Sequence, residues 1–282
     1  MGAIDEAQAG MNAGAPAVRH DDAQRAFEAL AIRLGLQPRD PWIGGYVDYE
    51  WDHLRFVLEA LPLPVNGARV LEFGCNVGAS AILLSHLGAR VSATDISPDW
   101  ISLARLNAAR YGIDDIRFIH VGDSRRLPFA DASFDLIACN SVLEYVEARE
   151  RGAVQRELDR VLAPGGLMLL TGTSNRLWPR EVHTRRWLVN YLPVFLDRLW
   201  GRPLQRGVWP WALRRGFGRH YVNLDRPDAG DFFARTRQRM GMPPLPLYLL
   251  LQAARLLRVG PGLLAPNLSC LLQKQDDAAA KR

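Results

Sequence analysis

Apolar and polar residues alternate in two different rhythms between residues 68 and 173. Short apolar runs are typical of buried strands, and apolar residues at every third or fourth position are typical of helices. Strands and helices that alternate in this way predict βαβ units, and therefore a mostly parallel sheet with helices on both faces. The predicted strands cover residues 68–73, 90–96, 116–123, 134–140 and 167–173.

The same spacing predicts helices before and between the strands. They cover residues 21–36, 49–62, 78–88, 97–112 and 147–166. Ser97 and Pro98 favour the N-cap and the first position of a helix, so we expect the helix after the second strand to begin there. A strongly apolar stretch at 245–264 fits either a buried helix that covers the sheet or a surface helix that rests on a bilayer.

The loops after the strands are where chemistry is expected, since doubly wound sheets bind ligands beyond the carboxyl ends of their strands. The first loop belongs to the segment VLEFGCNVGA at 70–79. Gly74 and Gly78 allow backbone conformations that other residues avoid, and Asn76 visits left-handed conformations more readily than most. A G-x-N-x-G turn is weak evidence by itself, because a purely structural turn would have the same sequence.

Three acids at strand ends suit a nucleoside ligand, and two of them distinguish a nicotinamide dinucleotide from an adenosyl compound without phosphate. Asp95 ends the second strand, where it is placed to accept both hydroxyls of a ribose in either ligand. Glu72 ends the first strand, where a carboxylate would repel a pyrophosphate but suits an ammonium group. Asp123 ends the third strand and offers an oxygen to the exocyclic amine of adenine. The adenosyl compound is therefore favoured.

Over roughly residues 42–175 the chain resembles the class I S-adenosylmethionine-dependent methyltransferases. The resemblance is carried by the motifs VLEFGCNVG, FDLIACNSVLEYV and RVLAPGGLMLL, together with Asp95 and Asp123. It implies an α/β fold with a doubly wound, seven-stranded, mostly parallel Rossmann-like sheet, and here an Arg- and Trp-rich helical insertion after the fifth strand. The remaining two strands are then expected near 235–243 and 267–274.

The resemblance also implies S-adenosyl-L-methionine as cofactor and methyl transfer as the reaction. The first loop should hold the methionyl part, with backbone groups of Gly74 and Cys75 at its carboxylate and Glu72 at its ammonium. Tyr46 or Tyr49 could face the sulfonium or the carboxylate, since an aromatic face attracts a cation. The predicted cofactor residues are Tyr46, Glu72, Gly74, Cys75, Asn76, Gly78, Asp95, Ile96, Asp123, Ser124 and Asn140.

The acceptor has to be recognised by residues that follow the fifth strand. Residues 175–193 come directly after it and contain Glu181 and His183. A general base is needed only if the acceptor is a hydroxyl or an acidic carbon, and a structural role is the alternative for His183. The candidate catalytic residues are His183, Asn140 and Tyr145, with Glu144 beside them. Many small-molecule members of the family have His at the position of Tyr145, so the role of that His is not carried over.

The net charge of +5 is unevenly distributed along the chain. Residues 1–175 carry a net charge of −7, and residues 176–240 carry +9 and five of the eight tryptophans. A basic, Trp-rich segment favours an anionic acceptor, small or lipid-linked, or peripheral contact with an anionic membrane. The alternative is that these arginines pair with the acidic first part of the chain. Nucleic acid is disfavoured as a partner, because no recognition module is evident.

Length and composition suit one large domain or two small ones. We expect a tail and helix over 1–41, a cofactor-binding core over 42–175, an acceptor-binding insertion with the last strands over 176–274, and a tail over 275–282. The three cysteines are far apart, so neither a metal site nor a disulfide is predicted.

The sequence also predicts a cellular location, and it leaves the class of function open. The sequence contains no signal peptide and no membrane span, which predicts a cytoplasmic location, with contact limited to the inner face of the membrane. Two function classes stay open, an enzyme and a protein that binds the cofactor without catalysis. The acceptor and the oligomeric state are left open as well.

Overall fold

The computed structural model describes residues 14–201, 203–217, 220–225 and 232–275, without the side chains of residues 200 and 214–216. Seven strands in this part of the chain form one sheet. They are β1 (Arg69–Phe73), β2 (Arg90–Asp95), β3 (Arg117–His120), β4 (Phe134–Asn140), β5 (Leu162–Ser174), β6 (Tyr221–Asn223) and β7 (Asn267–Lys274).

The strand order is β3-β2-β1-β4-β5-β7-β6. Strand β2 runs parallel to β1 and to β3, whereas β7 runs antiparallel to β5 and to β6. The order changes direction between β1 and β4, which is the switch point at which doubly wound sheets bind ligands. The predicted seven-stranded, mostly parallel Rossmann-like sheet is confirmed.

Helices precede and connect these strands. The α-helices are α1 (Asp21–Arg33), α2 (Tyr46–Glu59), α3 (Ala79–His86), α4 (Pro98–Arg110), α5 (Arg151–Val161), α6 (Pro210–Phe217), α7 (Phe232–Arg239) and α8 (Pro244–Leu257). Short 3₁₀ helices occur at Val189–Tyr191, Val194–Trp200 and Pro261–Leu263. The predicted start of α4 is confirmed, because the Ser97 hydroxyl accepts a hydrogen bond from the Trp100 amide at 3.4 Å.

The structure corrects two predicted elements. The sixth strand lies at Tyr221–Asn223 and not near 235–243, where the chain forms α7. The helix predicted over 147–166 ends at Val161, and the Ala-Pro-Gly-Gly segment that follows is already part of β5. The predicted last strand at 267–274 coincides with β7.

The apolar stretch at 245–264 forms a helix that is not buried. In α8 only Leu247 and Ala254 are buried, and Leu247 packs in a cluster with Phe233 and Ala265. Leu250 and Leu251 are partly buried against this cluster, whereas Leu245, Tyr248, Leu249, Leu256 and Leu257 are exposed. Among the described residues, no helix is long and apolar enough to cross a membrane.

The chain divides into two compact units. Unit 1 covers Met1–Pro128 with Ser133–Ile137, and unit 2 covers Phe129–Ala132 with Ala138–Arg282. Unit 1 contains the first three strands and the loops that follow them, and unit 2 contains β5 and the insertion after it. The predicted domain boundaries at 41 and 175 stay a prediction. Parts of the predicted tails, 1–13 and 276–282, lie outside the described residues.

Candidate functional site

The loop after β1 has the backbone conformation that its sequence predicts. Gly74 and Gly78 have φ angles of 78° and 74°, and Asn76 has 49°, so all three are left-handed. At Gly78 a Cβ atom would lie 3.1 Å from both Ala104 and Phe118. Gly78 is therefore required by its neighbours on α4 and β3 as well as by its φ angle, and its predicted cofactor contact stays a prediction.

The backbone amides of Gly74 and Cys75 are already occupied. Both donate to the Thr94 carbonyl, at 2.8 and 2.9 Å. They are therefore not available to a carboxylate of the cofactor, and the prediction that gave them this role is wrong in that respect. The two residues fasten the loop to β2. The side-chain oxygen Oδ1 of Asn76 is buried without a hydrogen-bond partner, so it is an acceptor that the cofactor could use.

Asp95 is held rigidly at the end of β2. Its Oδ2 accepts from the Asn76 amide and its Oδ1 from the Ser97 amide, both at 2.9 Å. Each oxygen keeps a second lone pair, which leaves the carboxylate able to accept two ribose hydroxyls. Ile96 follows with 67% of its surface exposed, so a ligand can reach its side chain, and its predicted cofactor contact stays a prediction.

Asp123 is less clearly available to a ligand than Asp95. Its Oδ1 accepts from the amide and the Nε of Arg125, at 2.9 and 2.8 Å, and its Oδ2 accepts from Nη2 at 3.0 Å. These hydrogen bonds hold the pKa of the Asp123 carboxyl below its usual range. An adenine amine would share the carboxylate with Arg125. Ser124 lies between these two residues, and its cofactor contact stays a prediction.

Glu72 is buried, with 3% of its surface exposed, and its Oε2 has no hydrogen-bond partner. Burial raises the pKa of Glu72 well above its usual range, and the charge of Glu50 raises it further. Hydrogen bonds from Ser80 and from the Ala81 amide act in the opposite direction. A buried carboxylate with a free oxygen fits the ammonium group of S-adenosylmethionine, as the sequence predicts for this position.

Of the two predicted tyrosines on α2, Tyr46 lies near this carboxylate. Tyr46 donates a hydrogen bond to Glu50, and burial together with the charges of Glu50 and Glu72 raises the pKa of Tyr46 far above its ordinary value. Its ring lies 5.9 Å from that of Tyr49 and 5.6 Å from that of Trp42. Tyr46 is therefore within electrostatic range of Glu72.

Unit 2 brings the predicted catalytic residues together at the ends of β4 and β5. The imidazole Nε2 of His183 lies 2.8 Å from Oε1 of Glu144, and the Glu144 side chain is completely buried. Burial lowers the pKa of His183, but the hydrogen bond to Glu144, the charges of Glu144 and Glu181, and a hydrogen bond to the Gly172 carbonyl outweigh it, so the net pKa is raised. The side chain of His183 is 31% exposed, and it can therefore be reached from outside.

The other two candidates, Asn140 and Tyr145, lie beside this pair. The Tyr145 ring centroid is 6.2 Å from that of His183, and Tyr145 is 62% exposed. Gly172 has a φ angle of 70°, and a Cβ atom there would lie 2.5 Å from Oδ1 of Asn140. Only glycine leaves room for Asn140 at this point of β5.

Glu181 has a structural role and is not a second base. It is completely buried and accepts from the amides of His183 and Thr184, at 3.2 and 2.6 Å, and from the Thr184 hydroxyl at 2.7 Å. Burial raises the pKa of Glu181, but these hydrogen bonds outweigh it and hold it below its usual range. Glu181 therefore fixes the turn that carries His183.

Several arginines of the insertion are engaged within unit 2. Arg206 pairs with Asp197, with its Nη2 2.5 Å from Oδ1. Arg176 donates to the Asn190 carbonyl at 2.8 Å and lies over the Trp209 ring at 5.2 Å. Part of the positive charge of this segment is therefore engaged within unit 2 itself, and the predicted anionic partner stays a prediction.

Comparison with known proteins identifies the class of the chain. Residues 71–170 match the family model described as a methyltransferase domain. The ubiquinone biosynthesis O-methyltransferase of Xylella fastidiosa is 38% identical over 115 residues, which cover 40% of this chain and 45% of that protein. Methyltransferase GfsG of Streptomyces halstedii is 34% identical over 105 residues, which cover 37% of each chain. This chain thus spans less than half the length of these curated relatives.

One solved structure shares the fold. An S-adenosylmethionine-dependent methyltransferase from Mesorhizobium loti aligns with a TM-score of 0.50 and 21% identity, over 81% of this chain and 100% of that one, a likeness that shows the fold alone. With the matched motifs and the sheet order, residues 71–170 are a methyltransferase domain similar to those of the class I S-adenosylmethionine-dependent methyltransferases. The cofactor of this family is S-adenosyl-L-methionine, and the free oxygens of Glu72 and Asn76 fit it.

Proposed function

We propose that the protein is an O-methyltransferase that methylates a hydroxyl of a small or lipid-linked, anionic acceptor. The observation that carries this proposal is the 2.8 Å contact between His183 and Glu144. A carboxylate that orients an imidazole is the arrangement by which proteins position a general base, and methyl transfer to a hydroxyl needs a base whereas transfer to a free amine does not. The names of the relatives in Xylella and Streptomyces support a methyltransferase activity.

The roles in unit 2 follow from the chemistry of the pair. Because Nε2 of His183 is committed to Glu144, Nδ1 is the atom that would take the proton from the acceptor hydroxyl. The imidazole is also hydrogen-bonded to the Gly172 carbonyl, so this bond has to give way if it occupies Nδ1. Glu144 then stabilises the imidazolium that forms. Tyr145 and Asn140 would bind the acceptor beside it.

When bound, S-adenosylmethionine supplies a methyl group that its sulfonium already activates. The chain has to align the acceptor oxygen with that methyl, which is the main contribution proteins make to such displacements. In this proposal Asp95 holds the ribose, Glu72 the ammonium group, and Ile96 covers the adenine. Asp123 and Ser124 bind the adenine edge.

The pH dependence of turnover tests the role of the pair. A base must be neutral to accept a proton, so the raised pKa of His183 should place the acid limb of the kcat profile above the ordinary pKa of histidine, about 6.5. Glu144→Gln removes the charge that raises this pKa, so the limb should move to lower pH while kcat falls. His183→Ala should lower kcat by about 10²–10⁴. A Glu144→Gln profile with an unmoved limb would contradict the assignment.

We further propose that α8 holds the protein at an anionic membrane surface. Leu245, Leu249 and Leu256 are 66%, 58% and 83% exposed. At 100° per residue they fall within one narrow stripe of the helix, opposite the buried Leu247 and Ala254. Surface helices of ordinary globular proteins carry polar residues on this side.

Charge favours a lipid surface as the occupant of this stripe. Residues 232–275 contain six basic residues and no acid, and Arg255 and Arg258 lie exposed at the end of α8. Each basic side chain adds about 1 kcal/mol of attraction to an anionic bilayer, and this attraction fades with salt. Trp187 and Phe195 in the insertion are 67% and 68% exposed and add apolar surface.

Co-sedimentation with liposomes tests the membrane contact. We expect binding to vesicles that contain phosphatidylserine, weaker binding as salt rises, and loss of binding in the variant with Leu245, Leu249 and Leu256 all changed to Ser. Ile32→Ser is the control, because Ile32 is 65% exposed on α1. Equal binding by the triple variant would contradict a membrane contact through α8. No binding by the parent protein at low salt would contradict any membrane contact, and the acceptor would then be a freely diffusing molecule.

A further inference from the structure

A small cavity in unit 2 adjoins the turn that carries His183. Its volume is about 280 Å³. Two segments of the insertion contribute its lining residues, which are Thr184, Arg186, Pro203, Leu204 and Gln205. Sites that hold a whole drug-sized ligand measure roughly 300–1,000 Å³, so this cavity suits one end of an acceptor. Because Thr184 follows His183 directly, that end would be held next to the proposed base.

The first wall of the cavity is a closed loop. The Glu181 amide donates to the Arg186 carbonyl at 2.9 Å, and the Glu181 carboxylate accepts from the amides of His183 and Thr184. Arg185 has a φ angle of 56°, which residues other than glycine rarely adopt, so these hydrogen bonds impose the shape of the loop. The backbone at Arg186 is thus fixed relative to that of His183.

The second wall is fastened by Asp197. Its Oδ2 accepts from the Leu204 amide at 3.2 Å and from Nη1 of Arg206 at 3.0 Å. Gln205 lies between these two residues, so its backbone is held on both sides. The Nε2 of Gln205 is buried without a hydrogen-bond partner. A buried donor without a partner costs free energy, and an acceptor that binds to it removes this cost.

The cavity offers positive charge and hydrogen-bond donors. Among the described residues, no hydrogen bond or ion pair engages the exposed Arg186 guanidinium, and no acid lines the cavity. The acids behind the two walls, Glu181 and Asp197, already accept hydrogen bonds on both of their oxygens. The Thr184 hydroxyl donates its proton to Glu181 at 2.7 Å. The side-chain donors left for a ligand are therefore those of Arg186 and Gln205.

We propose that this cavity is an oxyanion subsite, in which Arg186 and Gln205 bind a phosphate or carboxylate group of the acceptor. A guanidinium presents a planar fork of donors that matches two oxygens of either group. Pro203 and Leu204 add apolar walls, which fit the carbon skeleton next to that group. The inference rests on the proposed methylation of an anionic acceptor, and it names the residues that select this acceptor.

Calorimetric titration with phenyl phosphate tests the subsite, because this probe joins an anionic group to a small apolar ring and needs no turnover. The protein is saturated with S-adenosylhomocysteine in a phosphate-free buffer. We expect Arg186→Gln to weaken binding at least about tenfold, the loss that follows when hydrogen bonds between charged groups are removed. The Arg186 side chain holds nothing else in the described chain, so this variant should fold like the parent.

Arg185→Gln is the matched control. It removes the same charge from the neighbouring position of the same loop, and Arg185 is exposed but does not line the cavity. At about 0.15 M salt, exposed charges beyond about 8 Å are largely screened, so this variant should bind within about threefold of the parent. Phenol, which lacks the anionic group, should bind weakly and equally to the parent and to Arg186→Gln.

A second variant tests the other wall. Gln205→Glu keeps the size of the side chain and adds a negative charge, which repels the probe and competes for Arg186. It should therefore weaken the binding of phenyl phosphate as well. Equal affinity in the parent and in Gln205→Glu would contradict a role for this wall.

Three results would overturn the subsite. They are no binding of phenyl phosphate by the parent protein at millimolar concentrations, unchanged binding by Arg186→Gln, and an equal loss in Arg185→Gln, which would indicate only the general positive field of the insertion. Methyl transfer is measured separately. Binding through Arg186 without any transfer would keep the subsite and contradict the proposed function, whereas transfer with an unchanged KM in Arg186→Gln would do the reverse.

Vesicles identify the source of the oxyanion. They contain phosphatidic acid in phosphatidylcholine, and the two arginine variants are compared by sedimentation. Loss of sedimentation in Arg186→Gln but not in Arg185→Gln would support the subsite with a lipid head group as its ligand. Equal sedimentation of the two variants, with weaker phenyl phosphate binding in Arg186→Gln alone, would support the subsite with a soluble acceptor.

Discussion

Replacing Asp95 by Ala should weaken cofactor binding by a large and calculable factor. Both oxygens of Asp95 are fixed by backbone amides at 2.9 Å, from Asn76 and Ser97, so the carboxylate is oriented before the ligand arrives. A hydrogen bond from a ribose hydroxyl to a charged group contributes about 1.5–3 kcal/mol. Two such bonds amount to about 3–6 kcal/mol, and therefore to roughly a 10²- to 10⁴-fold loss of affinity.

The same substitution also affects the fold, and the assay has to separate the two effects. Asp95→Ala leaves the amides of Asn76 and Ser97 without their acceptor, so some loss of stability is expected. Calorimetry with S-adenosylhomocysteine should therefore be carried out where thermal unfolding shows the variant to be folded. Asp99→Ala, which removes an exposed acid from the first turn of α4, is the matched control and should bind like the parent.

The outcome that would refute this reasoning is a folded Asp95→Ala protein with affinity within about threefold of the parent, given the magnitude expected for two charged hydrogen bonds. Tight binding of NAD by the parent protein would refute the choice of ligand as well. Either result would require the ribose to be held elsewhere.

Further predictions concern the base, the membrane and stability. His183→Ala should lose turnover but keep its affinity for S-adenosylhomocysteine, and equal turnover would return His183 to a structural role. Changing Arg255 and Arg258 to Gln should weaken sedimentation with anionic vesicles, and unchanged binding would exclude a charge contribution from the end of α8. Burial raises the pKa of Asp225 from 3.8 to about 7, so stability should fall by up to about 4 kcal/mol as pH rises through this range. Asp225→Asn, compared by urea unfolding at about pH 5 and 8, should remove that fall, and an identical pH dependence would contradict it.

The sequence predicts the first five strands because each is an apolar run between turn residues. It fails at β6, which is only three residues long and is partly exposed, so it has no apolar run to detect. The strand is expected near 235–243 only because the family resemblance implies a sixth strand, and no apolar run supports it in that segment. Its buried residues, Phe232, Phe233 and Thr236, follow helical spacing instead.

The first loop could be predicted in detail, because its chemistry is local. Left-handed φ angles favour glycine and are tolerated by Asn. The loop has Gly74, Asn76 and Gly78, so these conformations could be predicted from the residue types alone. The partners of the Gly74 and Cys75 amides could not be predicted, because they depend on the register between β1 and β2. The pairing of Glu144 with His183 joins residues 39 positions apart, and no spacing rule connects them.

Glu50 was missed although the sequence contains a signal for it. The buried face of α2 carries Val47, Leu54, Val57 and Leu58 at helical spacing, and Glu50 lies on the same face. An acid among the core-facing positions of a helix indicates either that the buried face has been assigned wrongly or that the acid has a function. The structure places Glu50 on the buried side of α2.

Transfer of an isotope-labelled methyl group is the measurement that tests the central claim most directly. The protein is incubated with S-adenosylmethionine labelled in the methyl group and with metabolite and lipid extract from a strain that lacks the gene, and products are identified by tandem mass spectrometry. We predict a labelled methyl ether, found in the lipid or anionic fraction, that forms with the parent protein and not with His183→Ala. Label on nitrogen or carbon would contradict O-methylation. Cofactor binding without any labelled product would instead favour a protein that binds the cofactor and does not catalyse transfer.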